Sequence, residues 1–164
     1  MGHNARLAFW THFSTQSVGT VFVLLWGLPF LVNAESLDKA FAHLLLSSFV
    51  LIGIAAGVVY GWVCSSKPAW RTPVVTLMAS LVCVAWAVVI AQPSTAPTWM
   101  LVALVVVMAA AGPASMIAFD YSREFVKRGE LGTANGFVNI GGFLATFVMM
   151  FLIGVLLDFH FAIA

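Results

Sequence analysis

A chain of 164 residues that is 62% hydrophobic and 8% charged, with a net charge of +1, does not have the composition of a water-soluble domain, which is about half apolar and a quarter charged. One core of this size would leave much of that apolar surface in water, so the sequence implies lipid as its solvent. It carries no basic stripe with interleaved aromatics and so no footprint for nucleic acid.

Five runs are long and apolar enough to be membrane spans, near 13–32, 40–63, 73–91, 99–119 and 132–157; a spanning helix needs about 20 mostly apolar residues. The reading is an all-α polytopic membrane protein forming a single membrane domain. The runs are continuous rather than alternating, which argues against barrel strands. The joints "NAESLDK", "CSSKPAWRT" and "QPSTAPT" are short, so each helix lies antiparallel beside its predecessor. Pro73 suits a first turn, Pro93 and Pro97 lie in a joint, and Pro29 and Pro113 fall inside spans where a kink is tolerated. "MGHNAR" lacks the pattern of a cleaved signal peptide.

Arg6, Lys67, Arg71, Arg123, Lys127 and Arg128 all fall on one side of this topology, against Lys39 alone on the other. Basic residues stay inside, which predicts a cytoplasmic amino terminus; the membrane expected is a bacterial inner or plasma membrane. The two cysteines, Cys64 and Cys83, have no metal-like or redox-like spacing and read as unpaired small apolar residues.

Polar residues inside spans are costly and call for a reason. His12, Gln16 and Thr20 stand at i, i+4 and i+8 on one face of the first span, and Asn135 and Asn139 at i and i+4 on the fifth. Either stripe suits contact with a polar solute or hydrogen bonds that join helices. The charged knot "DYSREFVKRGE" offers the helical pairs Asp120–Arg123 and Glu124–Arg128, as a surface anchor or a cytoplasmic gate. Gly132 and Gly136 form a GxxxG step, which suggests close helix packing or a flexible helix. No cofactor or metal is expected. The histidines are scattered over separate elements, so no constellation points to an enzyme.

"LLWGLPFLV", "GVVYGWVCSSKPAWR", "GPASMIAFDYSREF" and "GTANGFVNIGGFLA" follow one another at span-like intervals. In this order they resemble the carboxyl-terminal half of a major facilitator superfamily transporter, helices seven to eleven. The most specific piece is the "GTANGFVNIGGF" entry into the last span. Ser65 departs from the family's pattern, standing where its eight–nine loop often has Asp. The resemblance implies a partial bundle of a two-bundle secondary transporter, a small-molecule solute, and an amino-terminal six-helix half as the partner absent from this chain. It further implies that Gln16, Asn139, His12 and Thr20 line a central cavity, while Asp120, Arg123, Asn135, Gly132 and Gly136 serve gating or helix packing. A non-transporting membrane subunit or assembly factor is the alternative.

Overall fold

The computed structural model describes residues 3–124 and 126–163, with side chains for 5–124, 126, 127 and 129–159. Five helices are long and apolar enough to cross a membrane: Ala5–Ala34, Lys39–Ser66, Pro68–Ile90, Thr98–Arg123 and Leu131–Phe159. The five helices expected as spans are present, and helix is the only regular secondary structure among the described residues. The first helix begins at His3, ahead of the apolar run expected from Phe13, and its opening turns pack partly inward: Ala8, Thr11 and His12 are buried.

Local chemistry explains where the helices begin and end. The Asp38 carboxylate accepts from the Phe41 backbone N–H at 2.9 Å, capping the second span by satisfying one of its orphan donors. Lys67 leaves helical geometry at φ −138° and ψ 84°, and Pro68 then opens the third span. Pro97, in extended geometry, precedes the fourth.

Two spans are interrupted, both at prolines. In the first, Phe22–Trp26 and Phe30–Ala34 are wound as π-helix on either side of Pro29. In the fourth, Gly112–Met116 tightens to 3₁₀ around Pro113. Proline has no N–H, and its ring collides with the carbonyl four residues back. Widening or tightening the turn re-routes those bonds without ending the helix.

The fourth span is the centre of the bundle. Within its most apolar window 44% of residues are buried, against 11% for the second and third spans. The second and third spans pack on it, as does the inner part of the first, while the fifth span packs chiefly on the first. One apolar cluster gathers Phe22, Leu31, Leu45, Leu101, Leu104 and Met108, and another gathers Ala8, Cys64, Ala114, Ile117, Tyr121 and Val138. Large apolar side chains such as Trp62, Ile90 and Phe143 are more than two-thirds exposed on the bundle surface. Water would penalise that exposure; lipid does not.

Close helix crossings fall at glycines. An added Cβ on Gly53 or Gly57 would sit 3.5–3.9 Å from Pro113 and the Ala109 carbonyl, so the second span lies almost backbone to backbone on the fourth. On the fifth span an added Cβ at Gly141 would lie 2.9 Å from the Phe9 carbonyl oxygen, and one at Gly142 would lie 2.6 Å from the His12 ring. Among the described residues Gly132 and Gly136 do not make such a crossing: an added Cβ at either meets nothing within 4 Å. At 3.6 residues per turn the pair is turned about 140–180° away from Gly141 and about 80–120° from Gly142.

Candidate solute groove

Between the two apolar clusters, the interrupted first and fourth spans meet through a belt of hydrogen bonds. The His12 Nδ1 lies 3.1 Å from the Ser115 carbonyl oxygen. A neutral imidazole bonded this way carries its proton on Nδ1. The Ser115 hydroxyl donates to Gln16 Oε1 at 2.8 Å. The Gln16 side-chain N–H donates to Thr20 Oγ1 at 3.3 Å, and the Thr20 hydroxyl donates back to the Gln16 carbonyl at 3.0 Å. These bonds fix the amide orientation, because the Thr20 proton is already committed and its oxygen must accept.

Sequence spacing alone places His12, Gln16 and Thr20 on one face, and the structure does join them in one network. It also divides them by depth. His12 is 2% exposed and held in the interior, with its ring edge against Phe119 at 4.9 Å between centroids. Gln16 and Thr20 are half-buried and line an open groove of about 510 Å³. The groove lies between the first, second and fourth spans, with Gly19, Phe49, Gly53, Pro113, Ser115 and Met116 among its walls. Pro113 and Met116 also line a second opening of about 370 Å³ that runs to Tyr60, Asp120 and Arg123. The two spaces therefore share a wall, the first at mid-bundle and the second towards the charged end.

Asn139 is exposed on the fifth span, with its amide beside His12. It lies outside the lining of the Gln16 groove. Asn135 accepts from the Ser122 hydroxyl at 3.2 Å, bonding the start of the fifth span to the end of the fourth.

At the charged end, Arg71 from the start of the third span joins two carboxylates of the fourth. Its Nε lies 3.6 Å from Asp120, and its terminal nitrogen pairs with Glu124. Asp120 also meets Arg123 at 3.7 Å, the i,i+3 pair expected from spacing. The other spaced pair, Glu124–Arg128, lies outside the described side chains at Arg128. Nearby, the Thr72 and Tyr121 hydroxyls are 2.9 Å apart. At the opposite end the Glu35 carboxylate accepts from the Ala96 N–H at 2.6 Å, linking the joint after the first span to the joint before the fourth.

Ser115, Ser122, Thr72, Tyr121 and Glu35 are members of these networks that sequence reasoning does not single out, and it gives Arg71 no partner. Ser115 could have been found as a polar residue mid-span, two positions after a proline. Arg71 as a partner for Asp120 and Glu124 had no local signal, since 53 positions separate it from Glu124. No protein-family model, curated protein or solved structure matches this chain.

Proposed function

We propose that this chain is one helical bundle of a major-facilitator-type secondary transporter, moving a small solute across a bacterial inner or plasma membrane. Its amino terminus is cytoplasmic, and the solute passes between this bundle and a second one. The observation that supports this best is the polar belt of Gln16, Thr20 and Ser115 at the edge of an open groove, set where two spans are interrupted. Interrupted helices at mid-membrane with polar groups in a cavity are how transporters build solute sites, and bending at such interruptions accompanies alternating access. In this reading Gln16 and Thr20 contact solute directly. His12 braces the fourth span, and Asn139 faces the second bundle. The ion pairs of Asp120, Arg71 and Arg123 hold the cytoplasmic end.

The test is uptake. The chain, co-expressed with a six-span partner bundle or carried within a longer two-bundle protein, is reconstituted in liposomes and screened for saturable solute entry. Gln16→Ala is expected to raise the half-saturating concentration about two- to tenfold, the scale of a net hydrogen bond, at normal expression. A complete two-bundle protein that folds yet moves no solute gives the place to a non-transporting membrane subunit.

A further inference from the structure

We infer that the solute bound by the groove of the first, second and fourth spans is an uncharged molecule with an apolar body and a hydroxyl group. This rests on reading that groove as the solute path and adds to it the chemistry of the solute.

The inference follows from counting what the groove offers. Among the described residues its walls contain no Asp, Glu, Lys, Arg or His. The polar lining consists of Gln16, Thr20 and Ser115; the remainder is glycine or apolar, including Val23, Leu24, Phe49 and Ile54. An ion placed there would lose its hydration without gaining a counter-charge from this wall, a heavy cost in a medium of low polarity. An apolar body would lose nothing.

Hydrogen-bond valence narrows the polar group. The Ser115 proton is spent on Gln16 Oε1, and the Thr20 proton on the Gln16 carbonyl. Gln16 has two side-chain N–H groups and gives one to Thr20. One donor therefore remains, on Gln16 Nε2. Acceptor capacity remains on Gln16 Oε1, Thr20 Oγ1 and Ser115 Oγ. A hydroxyl accepts from the one remaining donor and donates to one of the three acceptors through a single atom, without bringing a charge. A carboxylate accepts only and leaves all three acceptors without a proton; an ammonium donates only and leaves the Gln16 N–H unpaired.

The experiment uses the purified chain in lipid nanodiscs, with Cys64 and Cys83 replaced by alanine and a single cysteine at Leu24, an exposed groove residue. Its reaction with a small maleimide is timed in the presence of three probes on one ring: cyclohexylmethanol, cyclohexanecarboxylate and cyclohexylmethylammonium. A cysteine at Val58, exposed on the second span and not part of the groove lining, corrects for partition of the probes into lipid. After that correction the alcohol should slow labelling at position 24 about fivefold, the scale of one net hydrogen bond, and the two ions should not. Gln16→Leu should abolish this protection. Gln16→Glu, close in shape, should transfer it to the ammonium, so that a folding defect in the leucine variant does not decide the matter.

Equal protection by alcohol and ions, or alcohol protection that survives both Gln16 variants, overturns the uncharged hydroxyl class. Absence of protection by all three probes does the same. None of these results touches the uptake assay, which alone decides whether the two-bundle protein transports.

Discussion

The His12 ring nitrogen Nδ1 sits 3.1 Å from the backbone carbonyl of Ser115, so a side chain near the start of the chain holds the tightened 3₁₀ turn of the fourth span. A carbonyl at a 3₁₀ interruption needs a partner when lipid offers none. His12→Ala removes that partner and the contact with Phe119. It is expected to destabilise the bundle by about 1–2 kcal/mol, towards the upper end for hydrogen bonds between membrane helices. Unfolding by sodium dodecyl sulfate, followed by circular dichroism, measures this; an unchanged midpoint would make His12 a bystander.

The glycine crossings separate two classes of substitution. Gly142→Leu should push the fifth span off the first and lower folded yield several-fold, because the backbone already approaches the His12 ring. Gly136→Leu should leave the isolated chain unaffected, since its side meets open space. Fluorescence size-exclusion chromatography of both variants gives the answer. Equal loss in both contradicts the crossing geometry.

Much of this arrangement was legible in the sequence, for definable reasons. Hydropathy marks the five spans because lipid demands long apolar runs, and Pro29 and Pro113 announce interruptions. The kind of interruption, π in one and 3₁₀ in the other, depends on neighbours that the local sequence does not specify. The first helix extends ahead of its apolar run through Ala5–His12, where Ala8, Thr11 and His12 are buried while Leu7 and Trp10 stay exposed; a hydropathy window does not register turns this polar. Gly132 and Gly136 have the right spacing for a crossing, as do Gly53 and Gly57; spacing cannot say which pair faces another helix of the same chain. The His12, Gln16 and Thr20 stripe follows from helix periodicity. Its partner Ser115, on another span, required the fold.

The ion cluster at the charged end gives a third expectation. Arg71 and Glu124 pair across two spans with the carboxylate side chain 44% exposed, so solvent screens the interaction. A double-mutant cycle of Arg71→Ala and Glu124→Ala should yield a coupling of about 1 kcal/mol or less, smaller still in high salt. Coupling beyond about 3 kcal/mol would mean that the cluster is far more shielded than its geometry implies.

Orientation is tested by accessible thiols. In a background lacking Cys64 and Cys83, a cysteine at exposed Ser94 should react with an impermeant maleimide added to intact cells, and one at exposed Lys127 should react only after lysis. The motive is the gathering of basic residues at one set of joints. The opposite pattern inverts the topology.

The bond from Glu35 to the Ala96 N–H has a mechanical consequence. Like the strung ends of a bow, the tips of the first and fourth spans at the Glu35 end are tied through their joints. Arg71 fastens the other tip of the fourth span to the third. The first span is tied at that tip and the fourth at both, so the turns around Pro29 and Pro113 are where bending meets least resistance. Such bending would leave the spacing of the Glu35 and Ala96 joints unchanged while the middle of the fourth span flexes.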